Sequence, residues 1–245
     1  MIRFFPRFLS IVLSAGVVFT AFSNNIMNSK IKLIVDNIKW FDNSAIEITH
    51  NNKVIYFDIY SDGPEDKADL ILFTHGQHDH FNAIALRNIV DTDTKIVSPP
   101  SCQTPSLKEY RLPLIGMIPG DSAEFDGIKI KSVYAYTIRN EWQKRGPNSV
   151  GYILTIDGIR IYHAGDTELI PEMKDIECDI ALIPIGQDHT MSSIENAAQA
   201  VLDVKAKVAI PIHWGISEYN TDSVQRFRNL LRAKNIDCVV KDIIQ

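Results

Sequence analysis

The chain has 245 residues, 45% of them apolar, and a formal charge of −5. That length buries a large core in one generous α/β domain, and no linker-like stretch divides it. The net acidity, with no cluster of Lys and Arg, lacks the electrostatic footprint of a nucleic-acid binder, so no nucleic-acid partner is expected.

The first 23 residues read as a targeting segment. Arg3 and Arg7 precede an uncharged apolar run over 8–22 that ends near Ala21-Phe22-Ser23, the pattern of a secretory signal peptide. The run is short of the roughly 20 residues that cross a bilayer core, so cleavage is the first expectation and a retained N-terminal anchor the second. Either way, the domain at 31–245 is expected to be exported, periplasmic or secreted, and to meet a membrane only through this segment. Cys102, Cys178 and Cys238 are odd in number and widely spaced. They form no disulfide framework, though one pair could join in an oxidising compartment.

Short β-type runs follow at 31–35, 45–49, 54–59 and 70–74. The turn residues His50-Asn51-Asn52-Lys53 join the second and third as a hairpin, with His50 a turn residue. Helical spacing over 82–90 predicts a helix whose N-terminus faces the end of the fourth strand. Strands near 95–98 and 128–136 come next, the latter introduced by Asp126-Gly127. A second half has strands at 149–156 and 159–163 joined by Asp157-Gly158, then 180–185 and 208–212, with helices at about 168–175, 192–204 and 222–233. Ser192-Ser193-Ile194-Glu195 has the form of a capping box that starts the second of these helices. Two strand-rich halves with helices predict two sheets packed together with helices outside.

Metal-type ligands stand just beyond four strands. The densest set is Thr74-His75-Gly76-Gln77-His78-Asp79-His80, three imidazoles and a carboxylate after the apolar run 70–73. The others are His163 and Asp166 in Tyr162-His163-Ala164-Gly165-Asp166-Thr167, His189 in Gly186-Gln187-Asp188-His189-Thr190, and His213 in Ile212-His213-Trp214-Gly215. Strand ends that share a sheet edge converge in space, and nitrogen and oxygen donors converging there suit zinc or a similar divalent ion.

These segments, in this order, resemble those of metallo-β-lactamase-fold hydrolases, and among them the small metal-dependent hydrolases of the ascorbate-6-phosphate lactonase type. The resemblance covers nearly everything from residue 31 onward. It implies an α/β fold of the αββα sandwich class, two mixed sheets with helices outside, and a dinuclear metal site at their shared edge. It assigns His75, position 77 and His163 to one metal, Asp79, His80 and His213 to the other, and Asp166 as the bridge. This chain departs from the pattern at Gln77, where the family carries His. Gln77 could ligate through its carbonyl oxygen, His78 could take its place, or one site could be empty and leave a single ion. His189 could be a pocket acid, a substitute ligand or a loop residue. Asp58 matches an acidic position that supports a ligating His.

The implied function is metal-assisted hydrolysis of an ester, lactone, phosphodiester or amide bond in a small-molecule substrate, with Asp79 as the catalytic residue orienting or deprotonating the water. Zinc is the first choice of ion, one or two per chain, with Mn2+ or Fe2+ as alternatives. The segment 137–145, with Trp142, Arg139, Lys144 and Arg145, falls where a substrate-covering loop is expected and could hold an anionic substrate. The competing reading, prompted by Gln77, is a degenerate relative that binds metal or ligand without turnover. Substrate, metal count and oligomeric state are not fixed by the sequence.

Overall fold

The computed structural model describes residues 28–61, 63–139, 141, 143–186, 190–214 and 221–244. Two mixed sheets make up the domain. The first holds β1 (Ile38–Asp42), β2 (Ala45–His50), β3 (Lys53–Phe57), β4 (Leu70–Leu72), β5 (Lys95–Ser98) and β6 (Leu114–Gly116), hydrogen-bonded in that order. The second holds β7 (Ser122–Phe125), β8 (Ile128–Tyr134), β9 (Val150–Ile156), β10 (Ile159–His163), β11 (Ile180–Pro184), β12 (Val208–Ile212) and β13 (Asp237–Cys238), again in order. In the first sheet β3 to β6 run parallel; in the second, β10 to β13 do.

Sequence pattern and burial agree strand by strand. In β8, Ile128, Ile130 and Ser132 are buried while Lys129 and Lys131 are exposed, the alternation of an antiparallel strand with one wet face. β11 and β12 are buried at every residue, as parallel strands covered on both faces must be. The two hairpins expected at 50–53 and 157–158 form, and the turn at Asp126-Gly127 closes a third between β7 and β8. Asn51 and Asn52, Asp126 and Gly127, and Asp157 and Gly158 all have positive φ, the requirement of the two-residue turn that matches strand twist. His50 is such a turn-flanking residue, and its Nε2 lies 2.8 Å from Asp157 Oδ2, tying the two sheets' hairpins together.

One continuous core joins the facing sides of both sheets and receives α3 (Ile194–Asp203) and α4 (Thr221–Arg232). A second cluster covers the other face of the first sheet, built from Ala85, Leu86, Ile89 and Leu107 on short helical turns. Burial of each large aliphatic side chain here contributes about 1.5–3 kcal/mol.

Several elements differ from expectation. Residues 31–35 belong to a helix, α1 (Ser29–Asp36), not a strand. Asn28 caps it by accepting from Lys30 N–H, and Ile31, Ile34 and Val35 are buried at helical spacing. A five-residue run with four apolar residues fits either period, and the cap decides. The helix expected over 82–90 reduces to a single 3-10 turn, Ala85–Asn88, because the Asn82 side chain accepts Ile84 N–H and starts a turn instead. No helix dipole therefore points from this segment at the cluster before it. The segment near 168–175 is likewise a 3-10 turn, Pro171–Asp175. α3 is capped by Ser193, which accepts from Asn196 N–H, one residue later than the capping-box reading at Ser192. β1, β6, β7, β13 and the one-turn helix α2 (Pro105–Lys108) were not read from sequence. Cys102, Cys178 and Cys238 are free thiols.

Candidate metal centre

Because β3, β4, β10 and β12 are parallel within their sheets, their carboxyl ends deliver side chains to one edge. Asp58 follows β3, residues 74–80 follow β4, Asp166 follows β10 and His213 follows β12. Hydrogen bonds across the sheets lock this edge: Val150 N–H donates to Thr74 O at 2.9 Å, and Tyr152 Oη to Phe73 O at 2.8 Å. Gly165, at φ +62, disfavours a side chain, since that backbone strains L residues and a Cβ would crowd Val150 O at 3.0 Å and Thr74 Cβ at 3.1 Å. The turn leading to Asp166 can thus press against the β4 end.

Asp58 organises the imidazoles. It sits at φ +48, a conformation that Asp tolerates better than most residues, and ends β3 there. Its Oδ1 accepts Thr74 N–H at 2.7 Å; its Oδ2 accepts the Thr74 hydroxyl at 2.6 Å and lies 2.9 Å from His80 Nδ1. A carboxylate only accepts, so His80 carries its proton on Nδ1 and turns the Nε2 lone pair inward. The same reasoning runs one residue further. The single Thr74 hydroxyl proton goes to Asp58, so His75 Nδ1, 3.0 Å from Thr74 Oγ1, is the donor there. His75 Nε2 is then a lone pair as well.

These Nε2 atoms, and that of His213, face carboxylates. Asp166 Oδ2 is 3.3 Å from His80 Nε2, 3.5 Å from His213 Nε2 and 4.0 Å from His75 Nε2. Asp79 Oδ2 is 3.8 Å from His80 Nε2 and 4.0 Å from His213 Nε2. Two candidate groups result, His75 with His80 and Asp166, and Asp79 with His80 and His213, the donor atoms of each lying within 4.8 Å of one another. His80 Nε2, His213 Nε2 and Asp166 Oδ1 are buried with no hydrogen-bond partner among the described residues. With the Nε2 atoms unprotonated, this buried set has no donor and is costly unless a cation, a proton or a metal ion, sits among it. The donor set therefore fits a divalent metal.

The electrostatics agree. Burial works to raise the Asp166 carboxyl, but His213 and His80 outweigh it and hold it well below the ordinary carboxylate range. Burial works to lower His80, yet Asp166 and Asp58 drive it well above the ordinary imidazole value. The negative potential that attracts a proton to this point attracts a metal cation equally. His75 is pushed down to about 4, by burial first and by neighbouring His80 second, so it is a neutral imidazole at neutral pH. His213 holds φ +54 with its N–H on Asn43 O at 2.8 Å, a sparsely populated backbone fixed from the β1–β2 turn.

His163 departs from expectation. Its Nε2 lies 3.0 Å from Ser44 O, its Nδ1 accepts Gly165 N–H at 3.2 Å, and its ring stacks on Phe57 at 4.6 Å between centroids. Both nitrogens are engaged by backbone and neither joins a candidate metal group. It is a core residue that braces the turn carrying Asp166. His78 is exposed and also joins neither group. Gln77 Oε1 lies 3.0 Å from His75 Nε2. Those two lone pairs can share a cation, or a half turn of the amide can present its N–H to the imidazole. His189 and Trp142 fall outside the described residues.

The loop cations that could hold an anionic substrate are paired with carboxylates. Arg139 Nε is 2.6 Å from Glu168 Oε1, Arg145 Nε is 3.0 Å from Glu172 Oε1 with its guanidinium over the Tyr134 ring, and Lys144 Nζ is 2.9 Å from Glu141 Oε2. What the sequence did not single out is Gln143, a buried amide within this loop, and Ser149 just before β9. Both line a cavity of about 330 Å3 with His75 and Gln77. A lone Gln inside a charged run gives no sequence signal of such a position.

The family model described as Beta-lactamase superfamily domain matches residues 37–213. The UPF0173 metal-dependent hydrolase of Archaeoglobus fulgidus is 30% identical over 223 residues, 83% of this chain and 94% of the relative. That of Pelotomaculum thermopropionicum is 36% identical over 183 residues, 69% and 77% of the two chains. Among solved structures, a protein from Parabacteroides distasonis described as a metal-dependent hydrolase is 31% identical, with a TM-score of 0.73 over 84% of this chain and 92% of that one. A metallo hydrolase of Ignicoccus hospitalis shares the fold at 24% identity and a TM-score of 0.69, over 85% and 95%. With the two-sheet architecture and the converging His and Asp side chains, these matches establish that the chain belongs to the metallo-β-lactamase superfamily and, within it, to the UPF0173 metal-dependent hydrolases.

Proposed function

We propose that the protein hydrolyses an uncharged acyl compound, an ester, lactone or amide, at a centre that holds one ion firmly through Asp79, His80, Asp166 and His213. The observation that carries this reading is the convergence of three buried imidazole Nε2 atoms on two carboxylates, an arrangement that draws a cation. His75 and Gln77 form a second, weaker position, because an amide is a poorer partner for zinc than the imidazole it replaces. A divalent ion, zinc first given the imidazoles and Mn2+ or Fe2+ next given the carboxylates, supplies Lewis acidity and lowers the pKa of water.

Asp79 is the cluster's open member, its side chain 30% exposed against 8% or less for the imidazoles and Asp166. It is therefore the group that incoming water and substrate meet, and the one suited to orient the water and take its proton. Asp58 holds the Nδ1 proton of His80 and, through Thr74, that of His75, so both rings turn Nε2 to the centre. Phosphodiesters are less favoured, because the three cations of the nearby loop are already paired with carboxylates. The apolar run over 8–22 supports export, and sequencing of the N-terminus of protein recovered outside the cytoplasm tests it.

The experiment is hydrolysis of a panel of esters, lactones, amides and phosphodiesters by metal-loaded protein and by Asp79→Ala. Turnover of uncharged acyl substrates that Asp79→Ala abolishes supports the reading. Metal-loaded protein silent on the whole panel favours the second reading, a non-catalytic binder, for which Gln77 in place of a ligating imidazole is the motive.

A further inference from the structure

We infer that Asp42 is a positioning residue of the metal centre: its carboxylate holds the β1–β2 turn in a positive-φ conformation from which two backbone carbonyls fix His213 and the turn that carries Asp166. The inference rests on the metal-centre reading above and adds to it a residue that belongs to neither candidate metal group.

The turn has an unusual backbone. β1 and β2 close with Asp42 opposite Ala45, and the β1 register shifts between Trp40 and Asp42. The favoured two-residue hairpin turn places positive φ on its two central residues, which here would be Asn43 and Ser44. Positive φ falls instead on Asp42, at +109, and Asn43, at +41, one place early. At +109 a residue with a side chain is strained, and such a conformation persists only where its surroundings impose it. Asp42 supplies part of those surroundings itself. Its Oδ1 accepts Asn43 N–H at 2.8 Å, and its Oδ2 accepts the Tyr60 hydroxyl at 3.2 Å. Burial first and the Asp42 charge second hold that hydroxyl well above the ordinary tyrosine value, so it stays a donor. Tyr60 follows Asp58 by two residues, and its carbonyl accepts the Asn82 side-chain N–H at 3.2 Å. The clamp is therefore anchored in the segments that carry Asp58 and His80.

The carbonyls of the turn connect it to the centre. Asn43 O accepts His213 N–H at 2.8 Å and the Trp40 indole N–H at 2.9 Å, and the Trp40 ring lies against Trp214 at 5.0 Å between centroids. His213, itself at φ +54, is thus held at its own N–H and through the side chain of the next residue. Ser44 O lies 3.0 Å from His163 Nε2, and His163 Nδ1 accepts the N–H of Gly165, the residue before Asp166, at 3.2 Å. Adjacent carbonyls of one turn therefore set both sides of the contact between His213 Nε2 and Asp166 Oδ2, 3.5 Å apart. A relaxed turn would withdraw both carbonyls. Ion binding would then have to restore the strained conformation, a cost that appears as lost affinity.

The test compares Asp42→Ala with Asp42→Gly in the intact protein, with Zn2+ affinity measured by competition against a chromophoric chelator. Both variants lack the carboxylate. Ala keeps a Cβ that disfavours positive φ, whereas Gly adopts it without strain. The expected result is Zn2+ binding about tenfold weaker in Asp42→Ala, the low end of the range for a residue that supports a ligating His, and within about threefold of wild type in Asp42→Gly. Lowered thermal stability of Asp42→Ala with unchanged affinity would assign Asp42 to folding alone and overturns the inference. Asp42→Gly losing as much affinity as Asp42→Ala also overturns it, because the carboxylate would then act on the ion itself rather than through the turn. A second measurement needs no metal. The His213 ring signals in NMR spectra of histidine-labelled, metal-free protein, identified by their absence from His213→Gln, should shift in Asp42→Ala and stay in place in Asp42→Gly. A wild type that binds no Zn2+ while these signals shift as expected defeats the metal-centre reading alone. Zn2+ binding by wild type, with affinity and ring signals indifferent to Asp42→Ala, defeats the inference alone.

Discussion

Asp58 and His80 are joined by a 2.9 Å contact between Oδ2 and Nδ1, with both side chains fully buried. This contact fixes which imidazole nitrogen faces the metal centre, and the same oxygen reaches His75 through the Thr74 hydroxyl. Asp58→Asn replaces one acceptor oxygen by an N–H donor and disturbs both tautomers at once. Metal affinity should fall about 10- to 100-fold, the usual cost of losing a carboxylate behind a ligating His. Competition with a chromophoric chelator measures it, and unchanged affinity would show that Asp58 only stabilises the fold.

His163 provides the opposite case. Its nitrogens serve Ser44 O and Gly165 N–H, so His163→Phe should keep the full metal complement while losing stability. Leaving those two backbone groups without partners costs about 2–4 kcal/mol, less what the Phe ring recovers on Phe57. Chemical denaturation of the metal-free protein, with metal analysis of the native variant, separates the two effects. Loss of metal without loss of stability would restore His163 to the ligand set implied by the family pattern.

How far the sequence foretold this site depends on what each residue touches. The three hairpin turns and the all-buried β11 and β12 were legible because local chemistry, positive-φ Asn, Asp and Gly and unbroken apolar runs, decides them. His75, Asp79, His80, Asp166 and His213 were legible as a convergent set because each follows a strand of parallel type. His163 also follows such a strand, yet it faces Phe57. Period-2 alternation places a strand-end side chain on a face but does not reveal which backbone groups lie opposite. Gln143 was invisible for a similar reason: the cavity it lines is shared with residues 75–77, distant in sequence. Residues 31–35 and 82–90 were misread because runs of five to nine residues carry too little periodicity, and Asn28 and Asn82 settle them through side-chain hydrogen bonds.

Gln77→His tests the weak second position. An imidazole beside His75 should raise the metal-to-protein ratio from about one toward two, as read by elemental analysis after gel filtration. A ratio already at two in wild type would mean that the Gln77 carbonyl oxygen ligates as well as an imidazole does.

Asp179 gives a prediction about pH. Burial works to raise its carboxyl, but Arg160 N–H at 2.9 Å and the Lys207 ammonium at 2.7 Å outweigh it, and the group lies below its ordinary value of 3.8. A lowered folded-state value means that the ionised group adds stability above the unfolded-state value and loses it as pH falls through the folded one. Asp179→Asn should therefore be destabilised relative to wild type at neutral pH, with the gap closing in acid as the pH falls through the folded-state value. Urea unfolding at both pH values checks this, and a gap that widened in acid would contradict it.

The most direct test of the central claim is anomalous diffraction from metal-loaded crystals, collected across the metal's absorption edge. The account predicts one strong peak bounded by Asp79, His80, Asp166 and His213, with weak or no density between His75 and Gln77. No peak among those four residues, or a peak liganded by His163, would contradict it.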